Sequence, residues 1–324
     1  PDYVPPGWDD WYGHITTYED DRYFDYWVNE NGSVSRFGNR QEDYSVDLEA
    51  KRAVAFIRAS GGRPEPLFLW LAPQAPHAPA YAADRFSTEF RGSLAPRPPS
   101  FNEADVRDKP AWVRQLDPLK EAEIDRLDRF QRCRLRSLCA VEDQIDGVLQ
   151  ALAETGRLST TYLFFTSDNG LLMGQHRAVE RKGSAYDESA RVPFMVRGPG
   201  VPVGRVDELV VNVDLAPTLL ELAGARIPDS VDGRSLVPFL RGRTPSAWRQ
   251  EALVENWGAG PTYSLHGKER VYIHNESEER ELYELALDPW QLENLHSKAD
   301  PALLDRLEQR LIELAACRGL SCRQ

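Results

Sequence analysis

Apolar residues recur near a 3.6-residue period in several stretches of the 324-residue chain, and this spacing predicts amphipathic helices. The longest helix is predicted over Lys120–Thr155, where Gly156 supplies a typical helix end. Shorter helices are predicted over Asp47–Ala59, Asp214–Ala223 and Pro301–Ala316. The chain is therefore expected to contain helices from its first part to its last residues.

Continuous apolar runs of strand length lie between the predicted helices. Leu67–Ala72 and Thr161–Thr166 are predicted to be buried strands of an α/β sheet, and Val192–Val196 is predicted to be a third strand. The first two runs end in polar loops, and α/β folds place their sites in loops at the carboxyl ends of buried strands. Short antiparallel strands are predicted over Tyr263–Leu265, Val271–His274 and Glu281–Leu285.

The beginning and the end of the chain differ from its middle. Pro1–Asn39 is rich in Trp, Tyr, Gly and Asp without a sustained period, which predicts irregular structure with short strands and a turn at Asn31 and Gly32. Arg241–Ser246 is a polar linker. We therefore expect two domains, residues 1–245 and residues 246–324, the second a small α+β subdomain that ends in a helix.

Composition and charge exclude several classes of protein. Hydrophobic residues make up 41% and charged residues 28% of the chain, as in ordinary globular domains and unlike disordered or coiled-coil chains. The formal net charge of −12 opposes sequence-independent attraction to nucleic acid. The longest apolar run, Leu67–Ala72, is far shorter than the roughly 20 residues that cross a bilayer, so we expect no membrane span.

The four cysteines do not have the spacing of a zinc site or a redox CxxC motif. Cys133 and Cys139 are expected to be buried thiols on the longest helix, facing different sides of it. Cys317 and Cys322 are near enough in sequence for a disulfide, which the sequence alone does not decide. Glycosylation sequons begin at Asn31 and Asn275, but such short motifs do not settle the compartment.

Two loops carry candidate catalytic chemistry at strand ends. His77 lies between two prolines that make its loop rigid, although a single His is often only a structural residue. Asp168 and Asn169 precede Gly170, a sequence that also suits a simple hairpin turn. Because the preceding residues form an apolar strand, we favour a second interpretation, in which a carboxylate and an amide oxygen bind a hard divalent cation.

Lys182 is a third candidate, because Lys is rare in this chain and this one directly precedes Gly183. The alternative is a solvated surface Lys. Together with His77 and the Asp168–Asn169 pair, Lys182 completes a set of a general acid, a metal site and an anion-binding cation. Such a set is typical of the hydrolysis of an ester that carries a small oxyanion.

The same segments carry a family resemblance that spans about residues 3 to 296. The matching stretches are Ala75–Pro79, Thr166–Gly170, Gly174–His176, Lys182–Pro193, Arg197–Gly200, Val213–Thr218, Asp232–Leu236, Glu281–Leu285, Asp288–Pro289 and Asn294–Leu295. In combination they resemble a sulfatase of the alkaline-phosphatase superfamily. The opening residues, Val4–Trp8 and Glu42–Asp47, are most similar to the N-acetylglucosamine-6-sulfatase branch.

The resemblance implies an alkaline-phosphatase-like α/β sandwich with a mixed central sheet, followed by the small C-terminal subdomain. It implies a sulfuric ester hydrolase acting on a sulfated sugar, with a formylglycine nucleophile beside Ca²⁺, Mg²⁺ being the less favoured metal. Asp168 and Asn169 would be metal ligands. His77 and Lys182 would contact the sulfate, one of them protonating the leaving alcohol, and His176 would contribute to substrate binding.

The nucleophile motif of the family, Cys/Ser-x-Pro/Ala-x-Arg, is expected upstream of Pro1, since none of the four cysteines fits it. Ser93–Arg97 fits it formally but follows the His77 loop instead of lying near the start. We therefore expect the chain to be the interior of a longer product, inactive alone. A phosphodiesterase or phosphonate hydrolase of the same superfamily, and a non-catalytic remnant that binds sulfated glycans, remain as alternatives. The resemblance suggests a secreted, periplasmic or lysosomal location without deciding it.

Overall fold

The computed structural model describes residues 1–15, 23–256, 262–275 and 277–323. Its helices are α1 (Ser45–Ala59), α2 (Ala111–Arg114), α3 (Glu121–Glu154), α4 (Asp187–Ala190), α5 (Leu215–Leu222), α6 (Val237–Leu240) and α7 (Pro301–Ala316). Its strands are β1 (Tyr12–Ile15), β2 (Trp27–Glu30), β3 (Ser33–Arg36), β4 (Leu163–Thr166), β5 (Leu172–Met173), β6 (Val179–Arg181), β7 (Phe194–Arg197), β8 (Glu251–Asn256), β9 (Thr262–Gly267), β10 (Arg270–His274) and β11 (Arg280–Glu284).

The chain forms two compact units. The first consists of Pro1–Ala95 with Asp125–Thr161, and the second of Pro96–Ile124 with Tyr162–Gln324. The domain boundary expected after residue 245 stays a prediction. No helix in the described ranges is both long and apolar enough to cross a membrane.

The first unit contains a three-stranded antiparallel sheet in the order β1-β2-β3. Asn31 and Gly32 join β2 to β3, and their φ angles of 50° and 89° are those of a tight hairpin turn. The turn predicted there is confirmed. Residues 16–22 of the predicted irregular opening lie outside the described residues.

Helix α3 begins and ends within one residue of its predicted limits. Val141 on α3 belongs to an apolar cluster with Tyr23, Tyr44 and Val46. The apolar face predicted for this helix is therefore buried at this point. The expectation of buried thiols on this helix is wrong in one respect, since Cys133 and Cys139 are half-buried.

The buried strand predicted over Leu67–Ala72 is wrong. These residues belong to no strand of the described chain, and Phe68 and Trp70 are 55% and 61% exposed. The alternating residues Leu67 and Leu69 are half-buried, so the segment is covered on one side only. An apolar run fits a buried strand only when neighbours cover both faces, and an apolar run alone does not show whether they do.

In the second unit, β4 pairs antiparallel with β7 and β5 pairs antiparallel with β6. The strands predicted near residues 161–166 and 192–196 are thereby confirmed, but Phe165 and Met195 are 38% and 58% exposed, so β4 is not fully buried as expected. The described sheets hold two to four strands and are all antiparallel, so no parallel pair lies in these ranges.

The last part of the second unit is a four-stranded antiparallel sheet in the order β11-β10-β9-β8, packed against α7. Leu307 and Leu311 of α7 contact Leu265, Tyr272 and Leu282 in one apolar cluster. Helix α7 has its predicted limits. The disulfide between Cys317 and Cys322, left open by the sequence, is formed just after α7.

Candidate active site

The turn after β4 presents two side-chain oxygens in succession. Asp168 is exposed, and its Oδ1 accepts the main-chain N–H of Asn169 at 2.8 Å. The side-chain Nδ2 of Asn169 donates to the carbonyl oxygen of Gly170 at 2.8 Å, which fixes the amide orientation. Asp168 Oδ2 and Asn169 Oδ1 accept no hydrogen bond within the described part of the chain, so both oxygens are available to a cation.

This turn is fixed to the short helix α4. The main-chain N–H of Gly170 donates to the carbonyl oxygen of Ser189 at 2.8 Å, and that of Leu171 donates to the carbonyl oxygen of Glu188 at 2.8 Å. A Cβ atom on Gly170 would lie 2.1 Å from the Glu188 carbonyl oxygen. Only glycine fits this close approach of two backbones.

Lys182 directly follows β6 and is exposed. Gly183 has a φ of +72°, and its carbonyl oxygen accepts a hydrogen bond from Asn256. The next residue, Ser184, donates its main-chain N–H to the Ser189 hydroxyl at 3.2 Å. Ser189, which is only 4% exposed, therefore holds the Asp168–Asn169 turn with its carbonyl and the Lys182 loop with its hydroxyl.

His176 is enclosed and stacks against Tyr186, with 4.0 Å between the ring centroids. Its Nδ1 lies 2.7 Å from Oε2 of Glu103, and because a carboxylate only accepts, Nδ1 carries a proton. Nε2 is buried and has no hydrogen-bond partner in the described ranges. A direct contact of His176 with substrate stays a prediction.

Two residues next to His176 were missed by the sequence reasoning. Glu103 orients His176, and its other oxygen lies 3.6 Å from Nζ of Lys109, which is fully buried. Lys109 donates to the carbonyl oxygens of Gln291 and Leu292 at 2.6 Å each. The rarity of Lys could have drawn attention to Lys109, but nothing in the sequence marks Glu103.

A second buried carboxylate, Glu281, lies on the other side of Tyr186. Its Oε2 accepts hydrogen bonds from the hydroxyls of Tyr186 at 2.8 Å and Tyr283 at 2.5 Å, and its Oε1 accepts one from Asn275 at 2.8 Å. Burial, and then the charge of Glu281, raise the pKa of both tyrosines well above their ordinary value. Both hydroxyls therefore stay protonated donors.

His77 belongs to the first unit, whereas the other predicted site residues belong to the second. Its Nδ1 lies 2.7 Å from the carbonyl oxygen of Ala78, so Nδ1 is the donor and Nε2 is the ring atom that can exchange a proton. The hydroxyl of Tyr23 donates to the carbonyl oxygen of His77 at 2.7 Å. The main-chain N–H of His77 donates to the carbonyl oxygen of Gln74 at 2.9 Å. The loop is thus held while the ring is exposed.

Asp168 and Asn169 fit part of a hard-cation site. Carboxylate and amide oxygens suit Ca²⁺ or Mg²⁺, but Ca²⁺ takes about 6–8 oxygens and these two residues supply only a part. In the ranges that the structure describes, no group of three or more His, Cys, Asp or Glu side chains is placed to hold a metal.

Comparison with known proteins places these features in a family. The sulfatase family model matches residues 3–225, and a model of the C-terminal region of N-sulphoglucosamine sulphohydrolase matches residues 174–317. The chain belongs to the sulfatase family. This confirms the resemblance inferred from the sequence.

Human N-acetylglucosamine-6-sulfatase is 32% identical over 369 aligned residues, covering 99% of this chain and 65% of the human protein. The chain thus spans slightly less than two thirds of that relative. A solved structure in complex with its substrate, D-glucosamine-2-N,6-O-disulfate, is 22% identical with a TM-score of 0.81, covering 96% of this chain and 76% of that one. This likeness confirms the predicted sulfatase fold.

An enzyme that hydrolyses a different class of ester also has a similar fold. The phosphonate monoester hydrolase of Agrobacterium radiobacter is 25% identical with a TM-score of 0.71, covering 86% of this chain and 62% of that one. The fold alone therefore does not separate sulfate esters from phosphonate esters.

Proposed function

We propose that this sulfatase-family chain forms part of an enzyme that hydrolyses sulfate esters of a sulfated amino sugar. The observation that carries the proposal is the joint at Ser189, which holds the Asp168–Asn169 turn and the Lys182 loop on one short segment. A cation site and a fixed positive charge are the two features that an anionic ester needs. The 32% identity to an N-acetylglucosamine-6-sulfatase supports the choice of a sulfated amino sugar.

Lys182 would bind the nonbridging oxygens of the sulfate. Its ammonium group is a compact charge with three donors, and the positive φ of Gly183 lets the loop turn immediately after it. Negative charge on those oxygens grows while the ester bond breaks. A fixed cation therefore stabilises the transition state more than the bound ester.

His77 would protonate the leaving alcohol through Nε2. Because the Ala78 carbonyl accepts from Nδ1–H, the ring is oriented and Nε2 would be the nitrogen that carries the proton to the alcohol. A sugar alcohol is a poor leaving group, so protonation matters more for it than for a phenol.

Asp168 and Asn169 would contribute oxygens to a divalent cation, which we propose is Ca²⁺. The cation supplies charge stabilisation to the sulfate when it is bound. The formylglycine of the family supplies the nucleophile, and none of the four cysteines of this chain fits its motif. In this proposal the side chains of this chain would supply metal ligands, a positive charge and a proton.

The test compares two proteins: residues 1–324 and the product of the longest open reading frame that contains them. We expect the longer product to hydrolyse N-acetylglucosamine 6-sulfate and nitrophenyl sulfate, and the 324-residue chain to hydrolyse neither. Absence of sulfate release by the longer product in the presence of Ca²⁺ would rule out the proposed activity.

A phosphonate or phosphate diester hydrolase is the second candidate. The structural similarity to the phosphonate monoester hydrolase of Agrobacterium radiobacter favours it. Nitrophenyl sulfate and nitrophenyl phenylphosphonate share their leaving group and differ in the transferred group. A higher kcat/KM on the phosphonate would decide for this alternative.

A further inference from the structure

A cavity of about 270 Å³ lies beside the Lys182 loop in the second unit. Gly183 and Ser184 form one wall of it, and Arg181, the residue before Lys182, forms another. This volume is close to the lower end of the roughly 300–1,000 Å³ of ligand pockets. The cavity is therefore large enough for a small group of a ligand bound at the loop.

Arg181 is an unusual cation within this cavity. Its guanidinium carbon lies 4.1 Å from the centroid of the Trp112 ring, so the planar group stacks on the aromatic face. Its Nε atom is buried and has no hydrogen-bond partner in the described ranges, and no carboxylate there pairs with the side chain. Arg181 is therefore a cationic wall of the cavity whose charge lies against an aromatic ring and has no paired carboxylate in the described ranges.

The other charged group of the cavity is already used. Both oxygens of Glu281 accept hydrogen bonds, from Tyr186, Tyr283 and Asn275. Since three donors already occupy the carboxylate oxygens, Glu281 has little hydrogen-bonding capacity left for a ligand. The cavity also has neutral polar side chains, but Arg181 is the charged lining residue that has no ion-pair partner in the described ranges, so the cavity favours an anion.

Arg181 also borders an open groove of about 700 Å³ in which Lys182 lies. Arg181 and Gln115 line both the cavity and the groove, and of these two Arg181 carries the charge. A ligand whose sulfate lies at Lys182 can extend to Arg181 without leaving the second unit.

We infer that Arg181, stacked on Trp112, binds a second anionic substituent of the sugar whose 6-sulfate lies at Lys182. The inference rests on the proposed function and deepens it by naming a residue that determines specificity. The substituent is a sulfate or a carboxylate, because the planar guanidinium matches both through paired N–H donors. The preferred substrate is then a doubly anionic sugar, not a singly sulfated one.

The experiment measures kcat/KM for the product of the longest reading frame with two substrates, N-acetylglucosamine 6-sulfate and glucosamine-2-N,6-O-disulfate. Arg181→Met keeps an apolar stem against Trp112 and removes the charge. Arg181→Met should lower kcat/KM for the disulfate by about 10- to 100-fold, which is the effect of losing a hydrogen bond to a charged group. The same substitution should lower kcat/KM for the monosulfate by less than about twofold. Arg181→Lys should restore only part of the preference.

Arg205→Met is the matched control, since Arg205 is 80% exposed and pairs with Asp207, and it removes the same charge. It should leave the ratio of the two kcat/KM values unchanged. A third substrate, a 6-sulfated N-acetylglucosamine linked to a hexuronate, separates the two sources of the anion. Dependence on Arg181 with the hexuronate substrate alone assigns a carboxylate, and dependence with the disulfate alone assigns a sulfate.

Equal losses on all substrates in Arg181→Met, or no loss on any, would overturn the inference and leave the proposed function intact. No turnover of any sulfated sugar by the parent protein would overturn the proposed function itself, and the inference with it.

Discussion

The carbonyl oxygen of Glu188 occupies the space that a side chain on residue 170 would need, 2.1 Å from the position of a Cβ atom on Gly170. We expect Gly170→Ala to lower the free energy of unfolding by about 1–3 kcal/mol, because the turn must move away from α4. Gly204→Ala is the control, since a Cβ there meets nothing within 4 Å. Urea unfolding of both variants checks this, and equal midpoints would contradict it.

Lys182→Ala should lower kcat/KM on a sulfate ester by at least about 100-fold, because the variant loses a charge that acts on the transition state. Lys182→Arg should recover part of the rate, since a planar fork replaces a compact ammonium. Lys268→Ala removes the same charge from a Lys that pairs with Glu208 and should keep the full rate. If Lys182→Ala kept its rate and its inhibition by free sulfate, Lys182 would be a solvated surface residue.

Asp168→Ala should weaken Ca²⁺ binding by at least about tenfold, since the turn loses its carboxylate ligand. Calorimetric titration with Ca²⁺, and separately with Mg²⁺, measures the effect and identifies the preferred metal. Asp207→Ala provides a control carboxylate, which is 72% exposed and pairs with Arg205. Unchanged affinity in Asp168→Ala would place the cation elsewhere.

Lys109→Met should lower the free energy of unfolding by about 3–5 kcal/mol, because removing one partner of a buried ion pair leaves the other charge uncompensated. Here that partner is Glu103, and the carbonyls of Gln291 and Leu292 also lose their donor. Lys298→Met, at a side chain that is 66% exposed, should leave the unfolding curve nearly unchanged. Comparable unfolding curves for the two variants would refute this role of Lys109.

Burial lowers the pKa of His266 below its ordinary value of 6.5, and the opposing charge of Asp187 does not restore it. Between the lowered pKa and 6.5 the unfolded chain binds more protons than the folded one. The free energy of unfolding should therefore fall as the pH falls through this window, and His266 should contribute no slope above it.

Urea unfolding at several pH values between about 5 and 8 measures this slope. His266→Gln should reduce it without removing it, because burial also lowers the pKa of His296. A slope identical to that of the parent protein would show that His266 titrates alike in both states.

Helices were more predictable than sheets in this chain because their period is a local property. Helix α7 has its predicted limits, and α3 differs by one residue at each end. The segment Leu67–Ala72 looked like a buried strand, yet strand pairing depends on a neighbour that its own residues do not specify. Strand β8 was missed for the same reason, since its pairing with β9 is a tertiary contact.

The residues of the candidate site also differ in whether local sequence or tertiary contacts reveal them. Asp168 and Asn169 were nominated because an apolar strand precedes their turn, and Lys182 was nominated because Lys is rare in this chain and this one precedes a glycine. Ser189 and Arg181 were not found, because their importance depends on a hydrogen bond to a distant loop and on a ring that lies 69 positions away in the sequence. Contacts of this kind arise only when the chain has folded.

The hydrogen bond from Asn275 to Glu281 bears on which of the two sequons a glycosylating host could modify in the folded protein. Asn275 begins a sequon with Ser277, but it is only 5% exposed and its Nδ2, the atom to which a glycan is attached, donates to the carboxylate. The Nδ2 of Asn31 also donates to a carboxylate, that of Asp10 at 2.9 Å, but this sequon lies in an exposed hairpin turn. A host that adds N-linked glycans would therefore yield a properly folded product with one sugar chain, and a doubly glycosylated form would be the misfolded fraction.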